Sequence, residues 1–249
     1  MHLNSVLFSA LAAATVISAE PCANTDQTDN SASCGHPPVS APEPRLSVPE
    51  CPKRGIATFN RSVPEKKPFP ETKVELCYDA KTLMLHIGFT AYEEEHFHFD
   101  PNQGTNGDIW EYSVMEAFIH RGKEDPQTYL EFEVNPNNVT YQAFIYNPSR
   151  VRAEGAPFDH AFISNPIADG ILSNTTLDRE ENYWRSDVQI PLALFNTPEK
   201  NIRGSHWKMN FFRTITSPET FPEQALGAWS VPDKASFHIT KFFRDVIFV

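Results

Sequence analysis

The chain has 249 residues, with 32 acidic and 21 basic side chains and a formal net charge of -11. That balance argues against a phosphate-backbone partner, because nucleic-acid binders carry a basic patch or stripe, and no lysine-rich segment answers an anionic membrane surface. Nineteen phenylalanines, 21 prolines and ten glycines argue against long uninterrupted helices and for a sheet-rich chain able to bury a core.

Residues 1–19, MHLNSVLFSALAAATVISA, form an apolar stretch that closes on small residues. They read as a secretory signal peptide cleaved after Ala19, although His2 is the only basic-type residue in the n-region. The protein is therefore expected outside the cell. No later run approaches the roughly 20 apolar residues of a transmembrane helix. Residues 20–50 are rich in Pro, Ser, Asn and Asp without a hydrophobic period, and read as a lead-in. The four cysteines are Cys22, Cys34, Cys51 and Cys77. In an oxidising compartment they imply two disulfides with three connectivities, of which the sequence-local Cys22–Cys34 and Cys51–Cys77 is favoured. No C-x-x-C pair supports a zinc site instead. Asn60, Asn138 and Asn174 open glycosylation sequons.

Residues 51–249 read as one domain. Strand-like runs alternate with turn clusters: Val74–Tyr78, Leu83–Ala91, Tyr112–His120, Tyr129–Asn135, Tyr141–Tyr146, Tyr183–Ile190, Trp207–Thr214 and Phe237–Thr240. Between them lie DPNQGTNGD, HRGKEDPQ, NPNN and SPETFPEQ, all turn formers. This spacing predicts an all-β antiparallel sandwich. In Tyr112–His120 both strand faces are largely apolar, so Glu116 needs either solvent or partners. In Tyr129–Asn135, Glu131 and Glu133 share the face opposite Leu130, Phe132 and Val134, turned outward or into a cleft.

NGDIWEYSVMEAFIH (106–120), followed by YLEFEVNPNN (129–138), resembles a family 9 carbohydrate-binding module, within the DOMON-like sandwich superfamily. The stretches YWRSDVQIPLALF (183–195), WKMNFFRT (207–214) and LGAWS with SFHITKFF (226–243) keep the same order, so the resemblance covers about residues 72–249. It implies an antiparallel sandwich that clamps a sugar ring, often at a chain end, between aromatic side chains, and so a link to polysaccharide breakdown. By motif, Trp110 becomes the stacking platform, Glu116 a hydroxyl acceptor, Asn210 a polar contact and Arg213 part of the rim. A second aromatic wall would come from Tyr183, Trp184 or Trp229. Sugar-binding members carry an arginine near 129–135, where this chain has Glu131 and Glu133, so the family's ligand preference does not transfer with the fold.

Other chemistries have weaker patterns. Asp100, Asn102, Asn106 and Asp108 are spaced partly like a calcium loop, but Thr105 stands where the turn requires Gly and no helices flank it. Calcium is the one metal cofactor this loop suggests. His96 and His98 alternate with Phe97 and Phe99, which fits a solvated strand face better than a chelate. Glu116, Glu131 and Glu133 would supply a glycosidase carboxylate pair, yet no nucleophile elbow is present and the chain reads as a binding module before an enzyme. A haem-binding electron carrier would need a methionine among Met84, Met115 and Met209 as an axial ligand. Asp108, Glu111, Glu116, Glu131 and Glu133 gather around Trp110, which suits a neutral, hydroxyl-rich glycan and disfavours uronic-acid polymers. The sequence says nothing of oligomeric state.

Overall fold

The computed structural model describes residues 45–197 and 202–249. The predicted signal peptide at 1–19, Cys22, Cys34 and most of the lead-in lie outside the described residues. The strands, in chain order, are β1 Leu46–Val48, β2 Gly55–Arg61, β3 Pro68–Asp79, β4 Met84–Ala91, β5 Val114–Arg121, β6 Thr128–Val134 and β7 Thr140–Tyr146. They continue with β8 Asp159–Phe162, β9 Leu172–Asp178, β10 Tyr183–Pro191, β11 His206–Ile215, β12 Ala225–Ala228 and β13 Arg244–Phe248. Among the described residues the helical segments are short 3-10 turns.

Two sheets form an all-β sandwich. A five-stranded sheet runs β2-β3-β4-β10-β9, and an eight-stranded sheet runs β1-β13-β11-β5-β6-β7-β8 with β12 added beside β11. Every pairing is antiparallel except β1 with β13. The period of two puts Val74 and Leu76 of β3, Ile87 and Phe89 of β4 and Trp184 and Val188 of β10 on the inner face of the smaller sheet. They meet Met115 and Ala117 of β5, Leu130 and Phe132 of β6, and Trp207, Met209 and Phe211 of β11. Met115 and Met209 are thus core-filling residues.

The larger sheet is apolar on its other face too, which accounts for the two-faced pattern of β5. Val114, Phe118, Tyr129, Ala143, Ile145 and Phe212 form a second cluster under the covering residues Ile109, Phe158, Phe237 and Phe243. The loops that carry these covering residues convert an outer sheet face into the floor of a cleft.

Several predicted boundaries shift. β1 lies upstream of residue 51 and already belongs to the sandwich, pairing Leu46–Val48 with Val246–Phe248. Phe237–Thr240 is a loop: Phe237 stacks on Phe212 at 4.2 Å and the chain enters a 3-10 turn at Thr240–Phe242. The strand near the C-terminus is β13 instead. His96 and His98 are not in a strand, because Phe97 takes φ 46° and buries its ring while His98 Nδ1 meets Thr216 Oγ1 at 3.0 Å.

One covalent and one ionic tie hold opposite ends of β3, where Cys77 lies beside His86 at one end and Thr72 beside Ala91 at the other. Cys51 and Cys77 form the predicted disulfide, joining the segment before β2 to β3 across 26 residues. Arg213 of β11 is fully buried and pairs with Glu94 Oε2 at 3.1 Å. Its guanidinium also donates to the carbonyls of Tyr92 (2.9 Å) and Glu71 (3.2 Å) beyond β4 and in β3. Asn60, Asn138 and Asn174 are all exposed.

Candidate functional site

Strand register builds the site. Glu116 of β5 stands directly opposite Glu133 of β6, which stands opposite Tyr141 of β7. Two residues along, Phe118 faces Glu131 and then Ala143. Residues paired this way share a face, so the three carboxylates converge: one oxygen from each lies within 4.8 Å of the others. Among the described residues this is the cluster whose donor set would admit a metal ion.

These carboxylates form the floor of an open cavity of about 390 Å³, within the size range of small-molecule sites. Glu116, Glu131 and Glu133 are only 3%, 6% and 1% exposed. Burial raises the pKa of Glu116 well above the usual carboxylate range, reinforced by Glu131 and opposed by a hydrogen bond with Thr214. Glu133 is raised likewise, by burial and then by Glu116, Glu131 and Asp108. Burial pushes Glu131 up to about 8, with the Arg152 charge pulling the other way. Oε2 of Glu133 is buried and has no hydrogen-bond partner among the described residues. A buried oxygen without a donor is costly, so Glu133 favours a ligand that brings one.

His238 closes one side. Its Nδ1 lies 2.7 Å from the Tyr129 hydroxyl, and its Nε2 lies 3.8 Å from Glu131 Oε1. Burial, with Arg152 adding to it, lowers its pKa to about 3. The ring is therefore neutral near pH 7, and its contact with Glu131 is not an ion pair. Arg152 stands at the mouth with its guanidinium 4.6 Å from the Phe158 ring centroid.

The walls are aromatic. Tyr141 and Phe162 meet edge to face at 5.3 Å, and Phe158 meets His238 in the same way at 5.0 Å. Trp110 lines the rim and is 47% exposed. It sits in the 3-10 turn Ile109–Glu111, pinned by fully buried Ile109 and by Gln224 Nε2 donating to its carbonyl at 2.8 Å. Upstream, Asn106 anchors the loop: Nδ2 donates to Ile163 O at 3.1 Å, and Oδ1 accepts from Gln142 N at 3.0 Å and Nε2 at 2.7 Å. Its φ of 62° suits asparagine in a turn.

The structure thus brings Trp110, Glu116, Glu131, Glu133 and Asp108 to one cavity. It does not bring Trp184, Asn210 or Arg213 there. Trp184 is fully buried between the sheets. Asn210 is fully buried, clasping Ser230 through Nδ2–O (2.8 Å) and N–Oδ1 (3.0 Å). Arg213 alternates with Thr214 along β11 and so points away from the cleft, into its pair with Glu94. The second wall is not Tyr183, Trp184 or Trp229, since Tyr183 packs on Tyr92 and Trp229 on Phe211. Nor do Asp100, Asn102, Asn106 and Asp108 converge as a calcium loop: Asp100 Oδ1 accepts from Asn102 N and Nδ2, both at 2.9 Å, and Asn106 is spent on Ile163 and Gln142.

Sequence reasoning missed Tyr141, Arg152, Phe158, His160, Phe162, Phe237 and His238 in the lining. Tyr141 was within reach, because folding Tyr129–Asn135 back through NPNN sets it beside Glu133. The others lie in irregular segments or on the short edge strand β8, whose residues are all exposed, so that no periodicity marks them.

No family model matches the chain. An extracellular protein from Arthroderma benhamiae is 62% identical over 211 residues, covering 84% of this chain and 92% of that protein. This chain belongs to the family of that protein. It is an extracellular protein, and no helix among the described residues is long and apolar enough to cross a membrane. Among solved structures, the fold is similar to a Bacteroides uniformis protein described as carbohydrate-binding, with TM-score 0.58 and 16% identity over 82% of this chain and 99% of that one. It is also similar to a family 9 carbohydrate-binding module from Caldicellulosiruptor kristjanssonii. The glucose complex gives TM-score 0.52 at 13% identity, over 83% and 96% of the chains. The cellotriose complex gives 0.50 at 13%, over 82% and 93%. At such identities the likeness is one of fold.

Proposed function

We propose that this chain is a secreted carbohydrate-binding protein of the family 9 module type, and that the cleft over Glu116, Glu131 and Glu133 is its sugar site. The observation that carries the reading is the pairing of aromatic walls with a hydrogen-bonding floor in one open cavity of about 390 Å³. A pyranose has apolar C–H faces that pack on an aromatic plane and hydroxyls that need fixed partners at its edge. Trp110, Phe162 and Tyr141 supply the planes; the carboxyl floor supplies the partners. The solved structures of similar fold that hold glucose and cellotriose add support. A floor closed at the sheet suits a terminal sugar residue better than the middle of a polymer, and such a protein would serve polysaccharide breakdown by binding its chain ends. Polyuronates are disfavoured, because a sugar carboxylate would be desolvated beside three buried acidic side chains.

Isothermal titration with oligosaccharides tests the reading. Trp110→Ala is expected to weaken binding about tenfold or more, since buried aromatic anchors commonly contribute roughly 2 kcal/mol at a binding surface. Unchanged binding by this variant removes Trp110 from the site.

One observation favours a second reading as a glycoside hydrolase: Glu131 stays protonated to about pH 8, as a general acid must near neutrality. New reducing ends in the same titration mixtures would select that reading; intact oligosaccharide selects binding alone.

A further inference from the structure

The floor of the cleft asks for more than a hydroxyl. Three carboxylate oxygens lie within 4.8 Å of one another. A tetrahedral N–H donor group with N···O distances of about 2.8 Å spans acceptors about 4.6 Å apart, inside that limit, so one ammonium group with its three donors can reach all three. A sugar hydroxyl brings one donor and leaves two of the carboxylates facing each other. Oε2 of Glu133 is buried and unpartnered, an acceptor such a donor would satisfy. Burial keeps protons on these carboxyls, and an ammonium seated among them would favour their release. Asp108 adds a fourth carboxylate to the lining, while Arg152 lies at the mouth over Phe158.

An organic cation fits these walls better than a metal ion. Calcium takes six to eight oxygen ligands, whereas Tyr141, Phe158, Phe162 and Phe237 surround the floor with rings. Aromatic faces attract an ammonium and pack against sugar C–H groups at once.

We propose, resting on the sugar-binding reading, that the cleft selects an amino sugar with a free amine, such as a glucosamine or galactosamine unit of a deacetylated polysaccharide, its ammonium seated on Glu116, Glu131 and Glu133. Acetylation of that amine removes the charge and two donors, so the N-acetylated sugar is the excluded analogue.

The test titrates the full secreted chain, in one buffer at physiological salt, with four probes. They are a glucosamine oligosaccharide, its N-acetylated counterpart, a cello-oligosaccharide of equal length, and calcium chloride alone. The amino-sugar oligomer is expected to bind at least tenfold more tightly than either neutral one. Glu133→Gln is expected to abolish that preference. Glu116→Gln is a second variant, and near-UV circular dichroism checks that each folds. Trp110→Ala, which leaves the carboxylates in place, is expected to weaken the amino-sugar oligomer as well; undiminished binding there marks diffuse attraction to the acidic surface and overturns the proposal. Equal affinity for the three oligosaccharides overturns amine selection and leaves the sugar reading standing. Binding of none overturns both. Calcium binding that displaces the amino sugar overturns the proposal in favour of a metal site.

Discussion

At the scale of single residues, the floor and His238 make opposite demands on pH. Glu131 holds its proton to about pH 8 in the folded chain, against a usual value near 4.5. Between those values the folded state binds more protons than the unfolded state, so stability falls as pH rises through that window. Glu116 and Glu133 are raised too and act in the same direction. His238 is lowered from 6.5 to about 3. Between those values the unfolded state binds more protons, and stability falls as pH drops. The lowered carboxylates of Glu75, Asp79 and Asp245 add to the acid-side loss. The ligand-free protein is therefore expected to melt highest between about pH 4.5 and 6.5 and to lose stability toward pH 8. Thermal melts across pH check this. Glu131→Gln should flatten the alkaline limb, and a melting temperature that rises steadily to pH 8 would contradict it.

At the scale of elements, what was legible followed hydrophobic period. Strands β3 to β7, β10 and β11 stand where alternating Val, Ile, Phe and Tyr predict them, because each packs a face on the central core. Strand β9, LSNTTLD, has little apolar surface and is held as an edge by pairing with β10. Strand β2, GIATFNR, alternates well but is not among the predicted runs, lying in a proline-rich stretch between Pro52 and Pro64. Arg213 shows a different limit. Its strand position was plain, yet the face it points to depends on registers set by β5 and β13. The fold uses it to clasp the chain after β4, where Glu94 Oε1 also accepts from the Phe97 N–H at 3.1 Å. Arg213→Ala is expected to destabilise the sandwich by about 3–5 kcal/mol, because it strands the Glu94 carboxylate in the interior. Urea denaturation measures this. A loss below about 1 kcal/mol, typical of exposed pairs, would mean the pair is not buried in solution.

At the scale of the whole molecule, the Cys51–Cys77 bridge closes a loop of sequence separation 26 that includes β2. Replacing both cysteines by alanine is expected to lower stability by about 3 kcal/mol through the freer unfolded chain. Denaturant melts with and without reductant measure the same quantity twice, and agreement between them is part of the expected outcome. The sandwich, the extracellular setting and this disulfide pair were all readable in the sequence, because each depends on local period or composition. The acidic charge of -11 was readable as well. Its gathering at Glu116, Glu131 and Glu133 was only half so: strand alternation put Glu131 and Glu133 on one face, but not beneath a cover. The cover itself comes from residues far along the chain, including Arg152, Phe158 and His238, carried by loops without a period. Sequence alone thus determined the strands with a strong hydrophobic period and which residues share a face of each, since side-chain alternation is a property of one strand. Only tertiary structure decided that three of those carboxylates meet, that aromatic loops roof them, and that Asn210 and Arg213 are spent on holding the fold. Those facts depend on register between strands and on loop packing, which no single segment encodes.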